Sequence, residues 1–329
     1  MLKFIMGRVL LFIPTLIAIS VLTFVLIQLP PGDYVSAYLI QLEQAGQEVT
    51  DELAMGLRHR YGLDQPMPIR YLKWIGNILL HGDFGYSMQW SRPVGDLIWE
   101  RIGWTVGISF ASMIFTWIVA FPIGVYSATH QYSILDYVFT LIGFIGQSLP
   151  SFLIALVLMW LGYQWFGLSI GGLFSESFRQ APWSWAKFLD LLNHLWVPII
   201  VLGASGTAGL IRTLRANLLD EVRKPYVVTA YAKGLPERRV IWKYPVRVAI
   251  NPFISATAYM LPRLISGATI VSVVLSLPTT GPIQLRSLMS QDMYLAGSLL
   301  LILSVLTVLG TLISDILLAW VDPRIRVGN

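Results

Sequence analysis

The sequence predicts an all-α membrane protein with six transmembrane helices and an extracytoplasmic helical segment between the first two. Of its 329 residues, 55% are hydrophobic and only 12% are charged, and the mean hydropathy is +0.66. A soluble chain of this length needs far more charge to cover its surface. Six nearly uncharged runs are long enough, or nearly so, to cross a bilayer core of about 30 Å as helices. These predicted spans are residues 9–29, 102–128, 137–162, 196–211, 248–277 and 295–321.

The orientation of these spans follows from the distribution of Lys and Arg between them. Residues 212–247 carry nine Lys and Arg against three acids, whereas residues 30–101 carry six against nine acids. We therefore expect both termini and the 212–247 loop in the cytoplasm. The predicted organisation is an N-terminus and first span at 1–30, an extracytoplasmic segment at 31–101, a five-helix transmembrane core at 102–321 and a cytoplasmic tail at 322–329.

The extracytoplasmic segment has its own predicted structure. Apolar residues at helical spacing predict a helix over 36–60 and a second over 69–80. The run Gly-Asp-Phe-Gly-Tyr-Ser at 82–87 predicts a tight, ordered turn. Several of the twelve Trp residues fall at predicted outer span ends. They fit an interfacial aromatic belt, and the alternative is that some of them line a substrate vestibule.

Patterns of catalytic chemistry are missing from the sequence. The chain has no Cys, which excludes disulfides and thiolate sites. Its four His residues form no pair at helical spacing, and no Gly-Lys pair exists to build a nucleotide-binding P-loop. A formal charge of +5 is small for a nucleic-acid binder. We therefore expect no enzyme, no metal, no cofactor in this chain and no nucleic-acid partner.

Two ionisable residues and one glycine-rich run lie inside the predicted spans. Arg263 is near the middle of the fifth span, where an unpaired charge costs about 2.5–3.5 kcal/mol. We expect it to face a water-filled cavity or the helix bundle. Asp315 is near the inner end of the sixth span and is interpreted as a snorkelling or helix-packing acid. The Gly-Ala-Ser-Gly run at 203–206 favours close helix packing.

The cytoplasmic loop carries the strongest functional pattern. Two short amphipathic helices are predicted to meet at Gly234, which permits a positive φ and close approach by another backbone. Small residues followed by a charged helix suit docking into a groove on a partner protein. A basic loop lying on anionic membrane lipid accounts for the Lys and Arg excess equally well. Spacing alone leaves these two interpretations open.

This loop resembles the coupling-loop signature of ABC importer permeases. Residues 226–240 read Y-V-V-T-A-Y-A-K-G-L-P-E-R-R-V, similar to the Y-V-x-T-A-x-A-K-G-L-x-E-R-x-V variant of the dipeptide/oligopeptide permease family. Further motifs of that family resemble the G-L-D-Q-P run at 62–66, G-D-F-G at 82–85, S-L-P-S-F at 148–152 and D-P-R-I-R at 322–326. Five spaced motifs in the right order are far more specific than any one alone.

The resemblance implies a type I ABC importer permease fold and a transport role without an ATPase site of its own. It also implies a position in the plasma (inner) membrane of a bacterium or archaeon. The implied partners are a second, homologous permease subunit, two ATP-binding subunits that hold ATP and Mg, and an extracytoplasmic substrate-binding protein. Ser148, Pro150 and Arg263 are candidate residues of the translocation path. The residues implied to couple to the ATPase subunits are Tyr226, Thr229, Ala230, Ala232, Lys233, Gly234, Leu235, Glu237 and Arg238.

The cargo is less well specified by the sequence. Peptide is the expected cargo, but residues 272–282 and 290–295 depart from the pattern expected of many peptide permeases. Oligosaccharide or nickel import by the same kind of machine is the alternative. An ion-coupled secondary carrier is the alternative of another class. The scarcity of intramembrane acids and the predicted docking loop argue against it.

Overall fold

The described part of the chain is mostly α-helical, as the sequence predicts. The computed structural model describes residues 2–29, 32, 34–47, 49–60, 62–167, 171–258, 260, 264 and 267–321. The helices are α1 (Leu2–Gln28), α2 (Tyr34–Gln44), α3 (Asp51–Arg60), α4 (Met67–His81), α5 (Val94–Thr129), α6 (Ile134–Ser148), α7 (Ser151–Phe166), α8 (Glu176–Arg179), α9 (Trp185–Val222), α10 (Pro225–Ala232), α11 (Glu237–Lys243), α12 (Pro245–Ala258), α13 (Thr269–Val274), α14 (Thr280–Met289) and α15 (Met293–Val321). Two short strands, β1 (Tyr86–Ser87) and β2 (Arg92–Pro93), pair antiparallel.

Four helices of the described part are long and apolar enough to cross a membrane. Three of them contain a proline, which transmembrane helices tolerate because neighbouring groups satisfy the freed carbonyl. The count rises to five if α6 and α7 together form one span. The four candidate spans are Ile5–Gln28, Val94–Thr129, Trp185–Val222 and Met293–Ile316.

The predicted third span is not one continuous helix. It is divided into α6 and α7, whose axes are bent by 110° at the break. Leu149 and Pro150 adopt extended ψ angles of 136° and 133°, because a proline disfavours helical geometry in the residue before it. A single straight helix therefore does not cover 137–162, and that α6 and α7 together cross the membrane as the predicted third span stays a prediction. The predicted fifth span, 248–277, contains residues outside the described part, and the six-span count stays a prediction.

The chain divides into two compact units. The first contains Met1–Val9, Thr105–Pro278 and Thr307–Asn329, and in it α9 packs against α6, α7 and α12. Glycine also lets α9 approach α5 closely, since a Cβ on Gly203 would lie 2.7 Å from the Phe115 ring of α5. The Thr116 hydroxyl donates to the Gly203 carbonyl at 3.1 Å. The prediction of close helix packing at 203–206 is confirmed.

The second unit contains Leu10–Trp104 and Thr279–Leu306 and has two apolar clusters. In one, the buried first turns of α5 pack on Leu295 and Leu299 of α15. In the other, Phe24 of α1 packs on Trp74 of α4, and the Trp74 indole donates to the Ser298 hydroxyl at 3.4 Å. The amphipathic pattern of α4 thus buries one face in this unit.

The described structure of the 31–101 segment differs from prediction at one point. The predicted helix over 36–60 is two helices, α2 and α3, because the chain turns at Gly46 with φ +78°. The predicted helix over 69–80 is confirmed as α4. The predicted turn at 82–87 is also confirmed, since Gly82 and Gly85 have φ of +66° and +88°. The Asp83 carboxylate accepts from the Gly85 amide at 2.8 Å.

Candidate functional site

The predicted coupling residues lie on a compact pair of helices that follows α9, called here the α10–α11 hairpin (Pro225–Lys243). Pro225 occupies the first turn of α10, where its missing N–H costs no hydrogen bond. Gly234 lies in the connection between α10 and α11 and adopts a left-handed backbone conformation, with φ +74°. Pro236 precedes α11 and its carbonyl accepts from the Val240 amide at 3.1 Å. The positive φ predicted for Gly234 is confirmed.

A small apolar core holds the two helices of the hairpin together. Val227 and Val240 are fully buried and Ala230 is 5% exposed. Leu235 and Tyr244 pack against these three side chains. Because Ala230 faces this core, its side chain stabilises the hairpin from within rather than forming part of its outer surface.

Apart from Ala230 and Leu235, the predicted coupling residues form the outer surface of the hairpin. Exposed apolar side chains lie among them, with Val228 exposed by 59% and Trp242 by 47%. Arg238 and Arg239 line an open cleft with Pro236 and Trp242. The surface therefore offers apolar contacts and guanidinium groups together, a composition enriched at protein interfaces. The predicted coupling residues on this surface are Tyr226, Thr229, Ala232, Lys233, Gly234, Glu237 and Arg238.

Tyr226 ties the hairpin to the end of α9. Its hydroxyl donates to the Glu221 carboxylate at 2.5 Å. Partial burial, this hydrogen bond and the nearby negative charge raise the pKa of Tyr226 to about 12. The phenol is therefore neutral at physiological pH and acts as a fixed hydrogen-bond donor. Burial and the charge of Glu237 also raise the pKa of Tyr231.

A cavity of about 580 Å³ in the first unit lies between α6–α7, α9 and the residues after α12. Polar groups reach it from three helices, among them Gln147, Ser151, Ser205 and Thr213. Gln147 accepts from the Arg212 guanidinium at 2.6 Å. The side chains that line this cavity can form hydrogen bonds with a polar solute.

Two of the three predicted path residues can be placed near this cavity. Ser148 and Pro150 are exposed at the α6–α7 break, and their chain neighbours Gln147 and Ser151 line the cavity. Arg263 lies outside the described residues. Among the described residues, no three metal-ligating side chains come together.

Three buried carboxylates have partners that sequence reasoning did not identify. Asp315, predicted only as a snorkelling or packing acid, lies 3.3 Å from the Arg8 guanidinium. Asp136, in the first turn of α6, lies 2.9 Å from the Arg215 guanidinium of α9. Asp292 accepts from Ser87 at 2.5 Å and from the Gln89 amide at 3.2 Å. The pairs are 79 to 307 residues apart in sequence, so no local spacing indicates them.

Comparison with protein families matches nearly the whole chain. Residues 120–327 match the family described as "Binding-protein-dependent transport system inner membrane component". Residues 1–109 match "Binding-prot-dependent transport system membrane comp, N-term".

Individual relatives match over nearly their whole length. The oligopeptide transport system permease protein AppB of Bacillus subtilis is 35% identical over 99% of this chain and 100% of that protein. The dipeptide transport system permease protein DppB of Escherichia coli K12 is 31% identical over 99% of each.

A solved structure has a similar fold. The inward-facing MetNI methionine ABC transporter superimposes with a TM-score of 0.51, covering 66% of this chain and 93% of that chain at 17% identity. The fold is therefore that of a helical ABC importer permease.

Proposed function

This chain belongs to the family of binding-protein-dependent transport system inner membrane components, and on that premise we propose that it is the permease subunit of an ATP-driven importer of peptides. As a member of this family it is a multi-pass inner-membrane transport component. The peptide cargo is supported by its similarity to permeases named for oligopeptide and dipeptide transport. Oligosaccharide or nickel cargo has no such support in these names.

The observation that carries the proposed mechanism is the geometry of the α10–α11 hairpin. It follows directly on the 38-residue helix α9, which also lines the membrane cavity. Its own apolar core holds it as one body, and its outer surface combines exposed apolar side chains with Arg238 and Arg239. A body of this kind transmits the movement of a docked partner to α9 without first unfolding.

In the proposed assembly, two ATP-binding subunits hold ATP and Mg and contact the α10–α11 hairpin from the cytoplasm. A second, homologous permease subunit completes the translocation path, and an extracytoplasmic binding protein delivers the cargo. The excess of Lys and Arg in residues 212–247 supports a cytoplasmic hairpin and cytoplasmic termini. The same count supports an extracytoplasmic position for residues 31–101.

The transport step follows from differential contact. The ATP-binding subunits shift the permease only if they contact the hairpin differently in their two nucleotide states. That difference rocks α9 and its neighbours between inward-facing and outward-facing arrangements. The cavity lined by Gln147, Ser151 and Ser205 then opens to each side in turn.

Purification of the chain from its own membrane in several mild detergents tests this proposal. We expect a second permease chain, two subunits with P-loop motifs and an extracytoplasmic binding protein to co-purify. Screening the binding protein against peptide and oligosaccharide libraries then identifies the cargo. Recovery of the chain alone from every detergent contradicts the importer and supports a secondary carrier.

A further inference from the structure

A second cavity, in the unit that contains α4, has a different chemical character. Its volume is about 490 Å³, and it lies between the α3–α4 turn, α4 and the turn at 82–87, with Tyr294 among its lining residues. Arg70, Lys73 and Asn77 reach it from α4. Their spacing of three and four residues places them on one face of the helix. Basic and amide donors therefore converge on a single cavity.

The floor of this cavity is rigid. A Cβ on Gly85 would lie 3.1 Å from the Tyr294 ring, so the glycine and the ring are already in close contact. Gly85 has φ +88° and its amide is held by Asp83. Arg70 is anchored as well, because its guanidinium donates to the Met293 sulfur at 2.8 Å. The Arg70 guanidinium is thus held in position before a ligand arrives.

The charge of this cavity is opposite to that of the segment around it. Residues 30–101 contain nine acids and six bases, yet among the described residues the cavity is lined by Arg70, Lys73, His59 and a single acid, Asp83. That acid already accepts from the Gly85 amide. Arg70 and Lys73 lie one helical turn apart, so their like charges repel each other. An incoming anion reduces this repulsion. The cavity is therefore complementary to a carboxylate.

The open rim favours a carboxylate carried by a protein surface. His59, Lys73, Asn77, Asp83 and Tyr86 are all exposed at the rim. Such a site does not enclose a small molecule, and it receives a side chain projecting from a docked partner. Arranged in this way, opposite charges steer association and fix the register of a complex.

We propose that this cavity, the basic cavity, receives an acidic side chain of the extracytoplasmic substrate-binding protein when that protein docks. This inference rests on the proposed function, because it requires both the binding protein and an extracytoplasmic position for residues 31–101. Lys73 supplies an exposed charge that steers docking, and Arg70 supplies the anchored guanidinium that pairs with the carboxylate.

The test uses the assembled transporter in nanodiscs together with its co-purified binding protein. The dissociation constant is measured by biolayer interferometry at low and physiological salt for Lys73→Glu and for the matched control Arg58→Glu. Arg58 is exposed on α3 and does not line the cavity. We expect Lys73→Glu to weaken docking about 10-fold at low salt, with a smaller effect at physiological salt. Arg58→Glu changes it less than about 3-fold. Size-exclusion profiles check that both variants assemble.

Two outcomes overturn the proposal. Equal effects of Lys73→Glu and Arg58→Glu mean that only the net charge of the segment matters. Unchanged docking by Lys73→Glu, with a raised KM for a carboxyl-terminated peptide but not for its amide, means that the cargo occupies the cavity. Both outcomes leave the proposed function intact if the unmodified transporter imports peptide. Failure of the unmodified transporter to import contradicts the proposed function itself.

Discussion

The Asp136 carboxylate, in the first turn of α6, accepts a hydrogen bond from the Arg215 guanidinium of α9 at 2.9 Å. Asp136 is 3% exposed, and it also accepts from the Tyr132 amide at 3.1 Å. The pair therefore ties the α5–α6 turn to the helix that leads into the α10–α11 hairpin. We expect movement of that hairpin to reach α6 through this contact.

Replacing Asp136 tests the contribution of this pair. Asp136→Asn removes the charge that compensates the partly buried Arg215 guanidinium, so we expect a loss of about 1–3 kcal/mol in unfolding free energy. The control is Asp220→Asn, which removes an exposed acid from the same helix α9. The measurement is the thermal unfolding of the purified protein. Equal midpoints for the two variants contradict a stabilising role for the pair.

Substitutions at Gly234 test whether the hairpin needs the left-handed backbone conformation there or needs a partner to approach the glycine closely. No atom of the described residues lies within 4 Å of a Cβ added there, but φ is +74°. We therefore expect Gly234→Asn, which tolerates this conformation, to keep transport within about 2-fold. Gly234→Val costs about 1–2 kcal/mol in the hairpin and abolishes coupled transport. Uptake and ATP hydrolysis are measured together, and full transport by the valine variant rules out the coupling assignment.

The exposed apolar surface of the hairpin predicts a binding hot spot. Val228 is 59% exposed on α10. We expect Val228→Asp to reduce recovery of the ATP-binding subunits by about 10-fold, because a desolvated charge at an interface centre is costly. Leu53→Asp is the control, since Leu53 is 40% exposed on α3, outside the hairpin. The measurement is quantitative co-purification. Equal recovery with the two variants places the docking surface elsewhere.

Burial of Asp292 predicts a pH-dependent stability. Burial raises the pKa of this carboxyl above its ordinary value of 3.8, although Ser87 and the Gln89 amide stabilise the charged form. A raised pKa in the folded state means that the stabilisation is full below pH 3.8 and declines as pH rises through the folded-state value. We expect the unfolding midpoint, measured against that of Asp292→Asn, to fall over this range.

The comparison with Asp292→Asn isolates this single group, because other titrating residues change the stability of both proteins equally. A difference between the two midpoints that stays constant with pH contradicts the assignment.

Gly85 predicts a local packing effect. An added methyl group would meet the Tyr294 ring at 3.1 Å, and φ is +88°. We expect Gly85→Ala to lose about 1–3 kcal/mol of stability. Gly76→Ala is the control, because within the described part of the chain no atom lies within 4 Å of that Cβ and its φ is ordinary. In a helix such as α4, alanine is favoured over glycine by about 1 kcal/mol. The two variants should therefore shift the thermal midpoint in opposite directions, and a shared direction argues against the contact.

Local patterns predicted the parts of the fold that local chemistry determines. The αL conformation at Gly234 and the turn at 82–87 both follow from glycine placement. The predicted fourth span, 196–211, lies within a longer helix. Charged residues such as Lys187 and Arg212 end an apolar run without ending a helix, and α9 extends over 38 residues.

Features of the fold that depend on contacts between distant segments were not predicted from the sequence. The burial of Ala230 depends on α11 folding back over α10, and its spacing in α10 alone does not reveal that. The pairing of Asp136 with Arg215 joins residues 79 positions apart. The break between α6 and α7 has a local signal in Pro150, but that proline alone does not specify the 110° angle.

The most direct test of the central claim is uptake of a labelled peptide library by the purified assembly in proteoliposomes. We predict uptake that requires both ATP and the external binding protein, with peptide-stimulated ATP hydrolysis that is lost with Gly234→Val and kept with Gly234→Asn. Uptake driven by an ion gradient without ATP, and unaffected by Gly234→Val, contradicts the account.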